Sequence, residues 1–363
     1  MRSILVTGGA GFIGSNFILN LLKRNPEVSV VNFDLLTYAG NLENLDSVAK
    51  LESHHFVKGD ICDSEALYRV FHEFKVEKVV HFAAESHVDR SITGPMPFVH
   101  TNITGTATLL ETARRCWLEE KIIPLDQVRF HHVSTDEVFG SLSKNAPAFT
   151  EKTPYSPNSP YAASKASSDL LVRAYFHTYG LPITISNCSN NYGPFQFPEK
   201  LIPLLILNCL SGKPLPVYGD GQQIRDWLYV GDHCDAIYQI LVKGEPGETY
   251  NIGGNNQPAN LEIVQSICAS MDDLVSDLPV RPCSSLIQFV KDRPGHDRRY
   301  SMNIGKIQKE LGWTPKESLE SGLQKTINWY TEHLDWTQKI QNRPDFQAWM
   351  KSNYKNREKK DGE

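Results

Sequence analysis

The chain has 363 residues, 40% hydrophobic and 22% charged, with a formal net charge of −5 and a sequence pI near 6.2. That length suits one large domain or two. The acidic balance leaves no electrostatic footprint for nucleic acid or an anionic membrane surface, and the longest apolar stretch, Leu201–Leu207, is too short for a membrane span.

The chain enters a strand at Ile4–Thr7 with no basic segment or cleavage signal before it, so no signal peptide is expected. Further strands are predicted at Val28–Phe33, His55–Val57, Lys78–Phe82, Val128–Val133 and Ile183–Asn187. Helical periodicity covers Phe12–Lys23, Ser64–Phe74, Phe98–Cys116 and Ala162–Tyr179. This alternation predicts an α/β fold, a Rossmann-type doubly wound parallel sheet. After Asn190, Pro and Gly break the chain into short pieces. Strand character resumes at Trp227–Val230, and helices are expected at Cys234–Val242, Leu261–Met271 and Ser318–Tyr330. The expected division is 1–188 with roughly 227–252 as the sheet domain, 189–226 with 253–340 as a smaller, mostly C-terminal α/β domain, and 341–363 as a polar tail whose end, from Lys351, frays. The seven cysteines (Cys62, Cys116, Cys188, Cys209, Cys234, Cys268, Cys283) include no CxxC pair. Neither a disulfide framework nor a metal site is favoured, and a reducing cytoplasm is the expected compartment.

Thr7-Gly8-Gly9-Ala10-Gly11-Phe12-Ile13-Gly14 follows the first strand and opens the first helix. Gly9, Gly11 and Gly14 fit G-x-G-x-x-G, and Gly8, Gly11 and Gly14 equally fit G-x-x-G-x-x-G. Such a turn lets a pyrophosphate approach backbone N–H groups at a helix N-terminus. Asp34 ends the second strand about twenty residues beyond Gly14, where a carboxylate accepts from ribose hydroxyls and repels a 2′-phosphate. NAD is therefore expected over NADP. Asp60, closing the third strand, is placed near the adenine amine.

Tyr161 and Lys165 share one helix face. An ammonium beside a phenol is expected to lower the phenol's pKa and make it a usable base for a sugar hydroxyl. Ser134 and Thr135 end a strand, and Asp136 and Glu137 follow side by side. Two adjacent carboxylates suggest one proton donor and one proton acceptor. With a nicotinamide cofactor, the chemistry they suggest is oxidation coupled to elimination. His81 and His87 lack metal-ligand partners at suitable spacing and are read as packed or hydrogen-bonded.

Together these segments resemble the extended short-chain dehydrogenase/reductases, and within them the dTDP-glucose 4,6-dehydratase family. The resemblance spans roughly residues 3–330. It rests on Val6–Gly14, Leu36–Asn41, Phe82–Ser91, Ser134–Gly140, Asn190–Pro194, Pro198–Lys200, Gln223–Trp227 and Asp292–Tyr300. Related 4-epimerases lack the Asp-Glu pair after the Ser-Thr strand end. One departure is Phe139, where the family often has tyrosine.

The resemblance implies catalytic roles for Thr135, Asp136, Glu137, Tyr161 and Lys165. Around the cofactor it implies Gly8, Gly11, Phe12, Ile13, Gly14, Asp34, Leu36, Thr37, Asp60, Ile61, Phe82, Ala83, Ala84, Ser86, Thr101 and Asn190. For a nucleotide-diphosphate sugar it implies Ser86, Thr135, Asn190, Asn191, Glu199, Lys200 and Leu201. It adds Pro216 and Tyr218 beside the base, and Arg225, Asn260, Asp292, His296 and Tyr300 toward the diphosphate. Lys200, Arg225 and the Arg293–Arg299 cluster are the cations expected there. A homodimer through a four-helix bundle of Asn102–Cys116 and Ala162–Tyr179 is also implied. A dehydratase for another nucleotide sugar, an epimerase and a cofactor-binding regulator stay as alternatives.

Overall fold

The computed structural model describes residues 3–292 and 296–355. Eleven strands run in chain order: β1 Ser3–Thr7, β2 Ser29–Asp34, β3 His54–Lys58, β4 Lys78–His81, β5 Arg129–Thr135, β6 Ile183–Cys188, β7 Asn190–Tyr192, β8 Leu215–Tyr218, β9 Trp227–Tyr229, β10 Thr249–Ile252 and β11 Ile287–Val290. Seven form one parallel sheet in the order β10-β6-β5-β4-β1-β2-β3. The chain starts at β1, winds out to β3 and returns to β4 on the other side. The resulting crevice at the carboxyl ends of β1 and β4 is where open α/β sheets bind ligands. Register aligns Thr7 with His81 and Thr135 with Cys188, so the ends of four strands meet at this edge.

Every residue of β1, β2 and β6 is buried, as expected of strands covered on both faces. One face packs Phe12–Arg24 and Val230–Lys243, with Phe17, Ile18 and Ile237 inside. The other packs Ser64–Glu73, Thr106–Arg114 and Pro160–Tyr179, with Phe71, Leu110 and Val172 inside. A separate apolar cluster joins Leu201–Ser211, Asn260–Leu274 and Leu319–Glu332. Among the described residues no helix is long and apolar enough to cross a membrane.

Three expectations need correction. The helix expected at Phe98–Cys116 is not uniformly α. It is π-helical over Val99–Gly105 and Arg115–Glu119. Thr106 and Thr108 hydroxyls donate to the Asn102 and Thr104 carbonyls, competing with the helical ladder. The Asn102 amide is meanwhile drawn inward to Glu85 and Ser164. Second, β9 does not join the main sheet. It pairs with β7, and β10 is the returning strand. Third, the stretch read as a polar tail contains the helix Pro344–Lys355. Phe346, Trp349 and Met350 are spaced i, i+3, i+4, and Phe346 is buried in the second cluster. Polarity alone hid that narrow stripe.

Candidate active site

A cleft of about 340 Å³ opens along the carboxyl ends of β1, β2, β4, β5 and β6. Gly8, Gly11 and Gly14 line it and Gly9 does not, which selects the wider glycine spacing. Gly8 has φ +70°, and a Cβ there would sit 2.6 Å from the Ala83 nitrogen. A Cβ at Gly14 would meet the Gly8 carbonyl at 2.2 Å. Gly11 is different, since only that carbonyl approaches, at 3.3 Å. As N-cap of the first helix it offers no side chain to its N–H groups, which stay available to an anion. Gly8→Ala should cost about 1–2 kcal/mol in left-handed backbone strain alone. A lower melting temperature and less co-purifying dinucleotide, read from the 260/280 nm absorbance ratio, are the expected results.

Asp34 ends β2 and lines the cleft. Its carboxylate accepts from the Ala10 and Leu36 N–H groups at 3.0 and 2.8 Å. Burial raises its pKa, and those two N–H groups oppose the rise. Asp34 therefore anchors the glycine turn as well as presenting a carboxylate to a ribose. Leu36 is turned to φ +59° and is not among the lining residues, whereas Leu35 and Thr37 are. Every other residue expected around the cofactor lines the cleft, from Phe12 and Ile13 through Asp60, Ile61, Phe82, Ala83, Ala84, Ser86 and Thr101 to Asn190.

All five expected catalytic residues line the same cleft. Thr135 Oγ1 donates to Asp136 Oδ1 and accepts from the Glu137 N–H, both at 3.3 Å. Asp136 is 2% exposed. Its pKa is raised well above the carboxylate range, first by burial, then by Glu137 and Asp226; Arg225 and the Thr135 hydroxyl oppose. Burial thus favours the protonated form of Asp136, and Glu137 beside it is only half-buried. A carboxyl with its folded pKa above the unfolded value stabilises fully below about pH 4 and loses that contribution as pH rises through the folded value. Asp136→Asn should therefore melt ~2 °C or more above the parent at pH 8. Scanning calorimetry should show the gap shrinking toward pH 4.

Lys165 Nζ donates to the Val133 carbonyl at 2.8 Å. Burial lowers its pKa, opposed by Asp169 and Cys188. The expected lowering of the Tyr161 pKa by Lys165 is not what the packing produces. Tyr161 is buried, and burial followed by the charge of Glu137 pushes the phenol well above its ordinary value; Thr135 works the other way. Behind this row, Asp169 is fully buried and accepts from Ser134 and Tyr155 at 2.8 Å and from Asn187 at 3.3 Å, with His132 Nε2 3.2 Å away. It pins the end of β5 to its neighbours. His81 spans the Thr7 and Thr106 hydroxyls at 2.7 and 3.0 Å, the hydrogen-bonded role expected for it.

The expected substrate residues divide. Ser86, Thr135, Asn190, Asn191, Glu199 and Lys200 line the cleft. Leu201 instead opens the helix Leu201–Ser211 and packs on the second cluster. Pro216 and Tyr218 lie on β8, and Tyr218 faces the His296 ring at 6.5 Å. His296 Nδ1 is 2.6 Å from Asp292, which also accepts from Gln223. Asn260 starts the helix Asn260–Leu274 with Oδ1 buried and unpaired among the described residues. Arg225 stacks 4.3 Å over Tyr300 and donates to the Ile224 and Asp297 carbonyls at 2.8 Å. Burial and the charge of Glu137 raise the Tyr300 pKa, so this group abuts the carboxylate pair. Arg293 lies outside the described residues. Arg298 pairs with Asp220 at 3.0 Å, and Arg299 donates to the Ala146 carbonyl at 2.7 Å.

Sequence reasoning missed Tyr38, Glu85, Cys188, Gln196 and Phe197 in the lining. Cys188 had a signal, its place at the carboxyl end of β6.

A family model described as GDP-mannose 4,6 dehydratase matches residues 5–326. The dTDP-glucose 4,6-dehydratase of Neisseria meningitidis serogroup B is 56% identical over 344 residues, covering 94% of this chain and 97% of that protein. The chain belongs to the dTDP-glucose 4,6-dehydratase family. A crystal structure of the family's Streptomyces venezuelae member, solved with NAD bound, superposes with a TM-score of 0.84 at 47% identity, covering 93% of this chain and all of that one. The UDP-glucose 4-epimerase of Thermotoga maritima, solved with UDP-glucose, superposes almost as well, with a TM-score of 0.79, but is 29% identical, covering 92% of this chain and all of that one. The fold is therefore shared across reactions, and the distinction lies in the side chains of the site.

Proposed function

We propose that this protein dehydrates dTDP-glucose to dTDP-4-keto-6-deoxyglucose with NAD as its resident cofactor. The observation that carries the reading is the buried Asp136 carboxyl next to half-buried Glu137 in the cleft that Tyr161 lines, burial raising the Asp136 pKa. The glycine turn fits a dinucleotide, because close packing forbids a Cβ at Gly8 and Gly14 while the helix N-terminus behind Gly11 is open. Gly11 and that helix end would hold the pyrophosphate, and Asp34 the adenine ribose. When bound, NAD supplies a hydride acceptor, later a hydride donor, and a positive ring in the cleft.

Thr135 holds the sugar O4 hydroxyl and Tyr161 removes its proton as C4 is oxidised. The resulting 4-ketone acidifies the C5 proton, which Glu137 takes. Asp136 gives its proton to the leaving C6 hydroxyl, a task that needs the neutral acid its burial enforces. A proton then returns to C5 as C6 is reduced. Arg225 and Lys200 counter the diphosphate with Asn260 and His296 nearby, and Tyr218 lies beside the base. Residues 1–188 with 227–252 serve the cofactor, and 189–226 with 253–340 serve the nucleotide sugar; the second apolar cluster draws mostly on the latter, while Trp227 joins it and Ile304, Ile307 and Trp313 pack in the first.

An epimerase reading leaves the Asp136 proton without a task. A homodimer through a four-helix bundle of Asn102–Cys116 and Ala162–Tyr179 is part of the proposal, supported by exposed Leu170 on the second of these helices. A cytoplasmic location fits seven free thiols. Incubation with dTDP-, UDP-, CDP- and GDP-glucose tests the reading, through the base-labile absorbance of the keto product. Turnover is expected with the thymidine compound first. No turnover with any would overturn the dehydratase reading, and preference for UDP-glucose would overturn only the base assignment.

A further inference from the structure

The helix Pro344–Lys355 lies against the cleft wall. Its Phe346 packs edge-on to Phe197 at 5.6 Å. Its Trp349 ring lies 4.3 Å from the Arg90 guanidinium carbon and 5.6 Å from the His87 ring. The same guanidinium sits 4.0 Å over Tyr38, and its Nη2 donates to Glu199 Oε2 at 3.0 Å. Arg343 adds a bond from Nη1 to the Tyr38 carbonyl at 3.1 Å. Tyr38, Phe197 and Glu199 line the cleft, whereas Arg90 and Trp349 do not. Any effect of the last two on substrate must pass through the others.

The Glu199 side chain is 1% exposed, and its Oε1 makes no hydrogen bond among the described residues, with His87 Nε2 3.6 Å away. A buried carboxylate in that condition needs a cation held in place and a polar ligand for the second oxygen. An arginine in water gives little, because its long side chain is free to leave. Arg90 between two aromatic rings has lost that freedom.

We propose that Trp349 is a positioning residue for substrate binding, holding Arg90 against Tyr38 so that Arg90 fixes Glu199 in the cleft wall. Tyr38, Phe197 and Glu199 then present a fixed wall to the bound sugar nucleotide, so the inference rests on the functional reading above. Burial raises the Glu199 pKa while Lys200 and Arg90 oppose it, so losing Arg90 removes one of two cations that keep this carboxylate ionised.

Trp349→Ala should raise KM for dTDP-glucose about tenfold, a loss of about 1.4 kcal/mol and within the range of a desolvated cation–π contact, with kcat held within about twofold. Trp349→Leu, which keeps apolar bulk without a ring, should lose as much and decides the matter if the alanine variant fails to fold. Trp349→Phe should retain most of the affinity. Arg90→Ala should weaken binding at least as much, and adding Trp349→Leu to it should do nothing more. Hydrogen exchange over residues 195–201, read by mass spectrometry without substrate, should accelerate in Trp349→Leu and not in Trp349→Phe. Unchanged KM and exchange in Trp349→Leu, or additive losses in the double variant, would overturn the proposal. A parent chain that turns over no nucleotide-glucose would overturn the functional reading instead, and the exchange comparison would still decide the clamp.

Discussion

Glu137→Gln should still reduce the bound cofactor when mixed with dTDP-glucose, yet release keto product about 1,000-fold more slowly than the parent. The magnitude is that of a positioned general base. The reasoning is positional. In the proposed reaction Tyr161 and Thr135 act at C4 and are left intact, so oxidation proceeds. The half-buried side chain at position 137 then has no base to take the C5 proton, and the ketone accumulates. Stopped-flow absorbance at 340 nm should show a single reduction phase that persists. Glutamine keeps the shape and removes the negative charge that raises the Tyr161 and Asp136 pKa values. The reduction phase should therefore shift toward lower pH rather than disappear. Loss of cofactor reduction in a folded variant would place Glu137 in the redox step and contradict its assignment to C5.

Tyr161→Phe should fail earlier. Its product formation should fall at least about 1,000-fold, and cofactor reduction should fall by the same factor. The phenol lines the cleft with Thr135, and in the proposed reaction it takes the O4 proton. Burial holds it protonated, so the parent's reduction rate should climb as pH rises through the neutral range and beyond. The phenylalanine variant should lose that dependence. Binding should survive, because Lys165 keeps its bond to the Val133 carbonyl and the glycine turn is untouched. A variant that reduces cofactor at the parental rate would transfer the base role to another group.

The two experiments separate what was legible in the sequence from what was not. The glycine turn, Asp34, the Asp136-Glu137 pair and Tyr161 with Lys165 are local patterns. A strand end or one helical turn brings each set together, so spacing alone points to a common site. The doubly wound parallel sheet follows from the same alternation, while its strand order does not. Leu36 shows the limit of local reading, since a single left-handed residue gives its place in the lining to Leu35 and Thr37. The protonation of Asp136 and Tyr161 was not readable, because burial sets it and burial depends on the assembled fold. The pairing of Arg225 with Tyr300 joins residues far apart in sequence. So does the contact of Trp349 with Arg90, from a helix that composition had marked as tail.

The central claim is that Asp136 and Glu137 convert a transient C4 oxidation into loss of water. The most direct test is turnover of dTDP-glucose deuterated at C4, with the product read by NMR. A parallel run uses unlabelled substrate in heavy water. The account predicts the C4 label at C6, and in heavy water one solvent deuteron at C5. A label that stays at C4, or returns there with inverted configuration and no deuteron at C5, would contradict it.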